Sequence, residues 1–339
     1  MVCNRPQPSR YDRAVMRPVV PDPAVPSTPS IGEFQVADGT NLRTLVWPSV
    51  GEPVAMALIV HGLGEHGGRY GTVAHALTNA GIEIHSHDHR GHGGSGGRRG
   101  HVERWDQLHE DLGERIVALR AARPELPLVL YGHSMGGLIA TGYVLSDTPR
   151  SQPDLLVLSS PALRDTQAAW KRRVAGRLTA LVPKLRVAHD LPRDGLSRDP
   201  AVRIRADADP LNTSSSTVRF GAEAFGEQDR VNARLATADS MRMPTYVFHG
   251  SADPIVPVAA SEPFARLPDV TRHVHEGLRH ECHHEPEHEH VLAEVVSWLG
   301  AQGIAVRGTR SVHHDAEHDE HHDAHRVEAD IHADPMTAV

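Results

Sequence analysis

LPLVLYGHSMGGLIA, residues 126–140, sets a short apolar run directly against the hexapeptide GHSMGG. The spacing predicts a buried strand over 128–131 and a helix over 135–145. A chain that turns sharply between the two at a serine flanked by small residues forms a nucleophile elbow, with the Ser134 hydroxyl raised above the sheet edge. Gly132 and Gly136 would flank a backbone that a side chain crowds, and Gly137 lets the helix pack close. The five-residue pattern is not sufficient alone. GGSGG at 93–97 matches it too, yet no strand precedes Ser95 and no helical pattern follows directly, so Ser95 reads as a loop residue.

Outward from the elbow, strands alternate with helical patterns, as a parallel sheet covered on both faces requires. Buried strands are predicted at 56–60, 82–87, 155–158, 245–248 and 270–275, and helices at 70–79, 105–122, 258–267 and 287–299. Two further strands, 34–37 and 42–47, are joined by the turn Asp38, Gly39, Thr40 and open the sheet as an antiparallel pair. The expected fold is α/β, a mostly parallel eight-stranded sheet flanked by helices. After Pro161 the rhythm breaks into Arg-, Asp-, Ser- and Pro-rich loops before strand 245–248 resumes it, so 161–239 is read as a cap inserted over the edge where ligands bind. The expected domain runs over 31–305. Residues 1–30, with seven prolines and Met16 as an alternative start, read as a disordered leader, and 306–339 as a disordered His- and Asp-rich tail.

Composition excludes several classes. A formal charge of −8 argues against a general nucleic-acid binder, and Lys occurs only at 171 and 184. Cys3 and Cys282 are too few and too far apart in context for a disulfide framework. No apolar run approaches the roughly 20 residues that span a bilayer, and the N-terminus has no hydrophobic signal core. Cytoplasmic residence is expected, at most peripheral to a membrane.

A serine hydroxyl is a poor nucleophile until a base sits within reach and an acid orients that base. The expected chain order is serine, acid, histidine, with the last two following late strands. Asp253 follows the strand TYVFHG, and His280 follows RHVHEG on the loop before the last helix. His273, His275, His283 and His284 compete with it. The first two sit inside the strand, and of the others His283 stands next to His280 as a candidate. The N–H of Met135 and that of Leu63, within HGLG at 61–64, are the expected donors to an oxyanion. This chemistry needs neither metal nor cofactor.

HGLGEHGGRY at 61–70, DHRGHGGSGGRRGHV at 88–102, GHSMGG at 132–137, SSPAL at 159–163, HGSADPIV at 249–256 and EGLRHE at 276–281 together resemble the monoacylglycerol lipase and lysophospholipase branch of the α/β-hydrolases. The resemblance covers about 31–300, and its second block is far more specific than the elbow pattern. It implies hydrolysis of a monoacylglycerol or similar single-chain lipid ester through an acyl-enzyme on Ser134, under a mobile amphipathic cap. It also implies that Glu65, Arg69 and His133 line the polar end of the pocket, with His283 matching a second histidine found in some members. The competing reading of Glu65 and Arg69 is a salt bridge that braces their loop. A lysophospholipase, or a small-ester, lactone or peptide hydrolase, could use the same triad, and a catalytically silent binding protein could keep the same fold.

The cap carries its own pattern. Trp170, Val174, Leu178, Leu181 and Leu185 recur at three- and four-residue steps, and residues 164–186 hold seven basic side chains and one acidic one. A basic amphipathic helix of this kind suits contact with an anionic membrane, while the alternative is a lid helix packed on the core, ended or kinked by Pro183. The segment SVHHDAEHDEHHDAH at 311–325 lacks the spacing of a closed metal site, and no metal role is expected of it.

Overall fold

Alternate side chains of the central strands face opposite layers, and this builds two cores from one sheet. In β3 (Ala55–Val60), Met56, Leu58 and Val60 join one buried cluster, while Ala55, Ala57 and Ile59 join the other. β5 (Leu128–His133) and β6 (Leu155–Ser159) divide their residues the same way. The computed structural model of the chain describes residues 28–164, 169–189 and 192–307. The expected leader and tail therefore lie almost wholly outside the described residues.

The sheet has eight strands, completed by β1 (Ser30–Gln35), β2 (Asn41–Trp47), β4 (Ile82–His87), β9 (Thr245–Gly250) and β10 (Val270–His275), in the order β1-β2-β4-β3-β5-β6-β9-β10. β2 runs antiparallel to both its neighbours and every other pairing is parallel. One face is covered by α1 (Gly71–Asn79) and α7 (His288–Ala301), the other by α2 (Asp106–Ala122), α3 (Met135–Val144) and α6 (Val218–Thr237). This is the mostly parallel α/β sheet that the alternating pattern predicts.

Three elements depart from expectation. β1 begins at Ser30, four residues before the expected start, and its side chains are mostly exposed, so backbone pairing to β2 rather than an apolar pattern defines it. The helix expected over 258–267 is a run of 3-10 turns, Val258–Arg266, because Pro263 inside it has no N–H to continue an α-helical ladder. Residues 161–239, read as loops apart from the amphipathic helix expected around 170–185, contain that helix as α4 (Ala169–Leu181) and also α5 (Pro200–Ala208), the small antiparallel pair β7 (Arg186–Ala188) and β8 (Ser215–Thr217), and all of α6. The Thr217 hydroxyl caps α6 by accepting from the Phe220 N–H at 3.2 Å, and Phe220, Val231 and Leu235 pack into the core beside α3.

Candidate active site

β5 ends at His133 and α3 begins at Met135, which leaves Ser134 alone to make the turn, at φ 53° and ψ −117°. A non-glycine residue there is strained, and its neighbours hold it. The Ser134 N–H donates to Ser159 O at 2.9 Å, and its carbonyl accepts from Leu138 and Ala162 N–H groups. A β-carbon at Gly136 would run into Val60 O, and one at Gly132 would lie 2.7 Å from Gly136 O. Both glycines are steric requirements of the elbow. Met135, as the first residue of α3, has an N–H without an intrahelical acceptor.

Asp253 follows β9 and His280 follows β10, and the parallel pairing of those strands brings their loops together. The His280 Nδ1–H donates to Asp253 Oδ2 at 2.7 Å. Ile255 and Val256 N–H groups donate to Asp253 Oδ1 at 2.8 and 3.0 Å. Burial disfavours the carboxylate, yet the His280 charge, the imidazole hydrogen bonds and the Val256 N–H outweigh it and hold Asp253 below the usual carboxylate range. Burial likewise opposes protonation of His280, and Asp253 overcomes it, so its pKa rises. With Nδ1 committed, Nε2 is the His280 nitrogen left for a substrate-side proton.

Ser134, His280, Leu63 and Met135 share the wall of a cavity of about 640 Å³. Most of the rest of the wall is apolar, with Leu138, Val174, Leu178, Phe220, Phe225 and Ile255 among its residues. Glu65, Arg69 and His133 also line it. Their bonds are mostly to one another and to the protein. Glu65 accepts from the Gly62 N–H at 2.6 Å and the Tyr70 hydroxyl at 2.7 Å, and pairs with Arg69. Arg69 also makes a bidentate pair with Glu281, at 2.8 Å in both bonds. Burial is the largest influence and would raise both carboxyls, but the Arg69 guanidinium, together with His133 and Tyr70 at Glu65 and with His284 at Glu281, outweighs it and lowers them. This network fixes the loop carrying Leu63 to the loop carrying His280. His133 lies 3.0 Å through Nδ1 from Ser159 Oγ, and burial, with His280 nearby, pushes it down to about 4.

His283, expected on the pocket wall, is not among the described residues that line it. Its ring stacks on Tyr70, with centroids 5.4 Å apart, and meets His133 edge-on at 4.8 Å, so it lies behind the wall. Ser95 is held in its loop by donating to Asp88 O at 2.6 Å. Three residues of the site, His249, Ser160 and Glu281, have no individual role in the sequence reading, and His284 enters there only as a competitor of His280. His249 Nε2 donates to Asp253 Oδ2 at 3.1 Å and Val256 O at 3.0 Å, and Ser160 Oγ donates to His280 O at 2.9 Å. Glu281 anchors Arg69, and His284 Nδ1 lies 2.8 Å from Glu281 Oε2. His249, Ser160 and Glu281 lie within blocks already matched, HGSADPIV, SSPAL and EGLRHE, which was the available signal.

A mostly parallel sheet with a serine at a strained strand-to-helix turn, followed by an acid and a histidine bonded to it after later strands, defines an α/β-hydrolase with the layout of a serine hydrolase. The family profile described as serine aminopeptidase, S33 matches residues 51–287. The chain is 34% identical over 283 residues to the monoacylglycerol lipase of Mycolicibacterium smegmatis, covering 81% of this chain and 98% of that one. It is 30% identical to the human monoglyceride lipase, over 81% of this chain and 91% of the relative. The crystal structure of the Paleococcus ferrophilus monoacylglycerol lipase superposes with a TM-score of 0.67 at 29% identity, over 77% of this chain and 98% of that one. The chain belongs to the serine aminopeptidase S33 family of α/β-hydrolases, on the branch that holds the monoacylglycerol lipases.

Proposed function

We propose that this chain hydrolyses monoacylglycerols to fatty acid and glycerol through an acyl-enzyme on Ser134. The observation that carries this reading is the buried His280–Asp253 pair at 2.7 Å, whose imidazole shares with Ser134 the wall of a mainly apolar cavity of about 640 Å³. Ser134 Oγ attacks the ester carbonyl as His280 Nε2 takes its proton. The N–H groups of Leu63 and Met135 receive the oxyanion, and His280 returns the proton to the departing glycerol oxygen. Water then repeats the sequence on the acyl-enzyme. The Leu63 loop is held from both sides for this role, by Glu65 below and by the Thr213 N–H, which donates to Gly64 O at 2.8 Å. No cofactor enters any step.

The polar end favours a neutral head group over a phosphate. Arg69 is spent on two carboxylates, so Glu65, Glu281 and Arg69 together carry net negative charge close to Ser134. Glycerol hydroxyls can meet this surface, whereas a lysophospholipid phosphate would be repelled. Glu65, Arg69 and His133 in this reading shape the glycerol end, and His283 supports them from behind.

Within residues 161–239, α4 and the segment leading to α6 act as the cap, while α6 itself covers the sheet. Val174 and Leu178 of α4 face the cavity, while Leu181 and Leu185 are 79% and 52% exposed, so the apolar stripe divides between substrate and outside. The exposed half, beside basic residues, supports peripheral contact with an anionic membrane. No helix among the described residues is long and apolar enough to cross one. The test of function is hydrolysis of monoacyl-, diacyl- and triacylglycerols beside lysophospholipids and a p-nitrophenyl ester series, with Ser134→Ala as control. Monoacylglycerols should be preferred and the variant should be inactive. Preference for triacylglycerols or lysophospholipids, or activity surviving in the variant, would overturn the proposal.

A further inference from the structure

Away from the cavity, the last strand and the last helix bring metal-binding side chains together. His273 and His275 are two apart on β10 and so share a face, and His290 and Glu294 are four apart on α7 and share another. The two faces meet. His273 Nδ1 lies 3.6 Å and His275 Nε2 3.9 Å from Glu294 Oε2, and the ligand atoms of these three residues all fall within 4.8 Å of one another.

These separations are too long for hydrogen bonds. They are close to the spacing of donors that share one ion, since bonds of about 2.0–2.1 Å at tetrahedral angles put donors about 3.3 Å apart. A second observation points the same way. His275 is only 6% exposed, and its Nε2 has no hydrogen-bond partner among the described residues although it is turned toward Glu294. A buried polar nitrogen left unsatisfied is costly, and an ion would satisfy it. The carboxylate is already oriented. Glu294 Oε1 lies 3.0 Å from His290 Nε2, and its Oε2 accepts from the Tyr246 hydroxyl at 3.2 Å, the kind of outer support that metal-bound carboxylates receive.

We propose that His273, His275 and Glu294 form a binding site for a divalent transition-metal ion of the zinc class, which clips β10 to α7. Two imidazoles and a carboxylate suit such an ion, with water in the fourth position and His290 and Tyr246 holding the carboxylate. The catalytic reading uses none of these side chains. The site has a structural consequence for it, because β10 and α7 are the two ends of the loop that carries His280 and Glu281. An ion there ties both ends of that loop.

The test is thermal unfolding of the full chain at pH 7.5 with Zn2+ and with EDTA, for the parent and for His273→Ala and Glu294→Gln. A ligand that binds only the folded state raises Tm by mass action, and free Zn2+ about a hundredfold above the dissociation constant should give a rise of about 5 °C. Both variants should lose that rise and bind one ion fewer by calorimetric titration. Histidines at 311–325 are common to all three proteins and cancel in the comparison. An equal Zn2+ effect in parent and variants, or no rise in the parent, would overturn the proposal.

Discussion

Asp253 sits among four donors, the N–H groups of Ile255 and Val256 and the imidazoles of His249 and His280. Its charge is therefore fixed across the working pH range, and that charge is what lifts the His280 pKa above 6.5. His280 acts as a base only when neutral, so kcat/KM should fall as pH drops through this raised value. Asp253→Asn removes the charge and the correct acceptor together. The inflection should then move to lower pH, and kcat should drop by about 10³–10⁴-fold. A pH–rate profile of the variant with the inflection unmoved would show that Asp253 does not act through His280. His249 has the same logic at one remove, because it spans Asp253 and Val256 O and holds the acid in position.

Elements were legible in the sequence where burial writes a pattern into side chains. β3, β5 and β9 are buried along their full lengths, so their apolar runs announce them. β1 is an exposed edge held by its backbone, and nothing in its side chains marks where it begins. α6 was hidden for a different reason, since it buries Glu227 and Gln228 and contains Gly221 and Gly226, which dilute a helical pattern. The triad candidates were legible because each stands just after a strand. Glu281 and His249 were not, because they work by holding other residues and leave no local signature. α4 shows how a pattern can be right and its meaning divided. Val174 and Leu178 are used by the cavity, and Leu181 and Leu185 remain for an outside partner. Some of the basic charge is also used internally, with Arg172 bonded to Gln228 and Asp229 and Arg186 to Ser215. Attraction to a membrane should consequently be weak. The full chain should cosediment more with anionic than with neutral vesicles, and Leu181→Asp should lower that binding about tenfold, as expected from removing one buried leucine. Hydrolysis of a short soluble ester by the variant should not change. Equal cosedimentation with both kinds of vesicle would count against membrane contact.

Across the whole molecule, histidine is used as a neutral core residue more than as a charge. His61, His87, His89 and His92 form a buried group behind the Leu63 loop, with His61 and His89 rings 4.0 Å apart and neither ring nitrogen of His87 hydrogen-bonded among the described residues. Burial, and then the neighbouring imidazoles, push His61 and His87 well below 6.5 and His89 down to about 3, while burial with the Arg99 charge takes His92 to about 4. Burial lowers His133 to about 4 as well. Each of these groups stays neutral in the fold and takes a proton in the unfolded chain near pH 6.5. The unfolded state thus binds more protons below that pH, and stability falls as pH drops from 6.5 through about 4. His280 has the opposite sign, since its raised pKa favours the fold below 6.5, but it is one group against five. At 1.36 kcal/mol per pH unit, His92 and His133 each contribute a loss of about 3 kcal/mol at most, against a total stability of about 5–15 kcal/mol. Below about pH 4, protonation of Asp253 adds to the loss, because its folded pKa is depressed and its contribution is present only above that range. The urea midpoint should therefore drop markedly between pH 7.5 and pH 4.5 with little change in the slope of the transition. A midpoint that holds constant over that interval would mean that these imidazoles are already hydrated or paired in the folded chain.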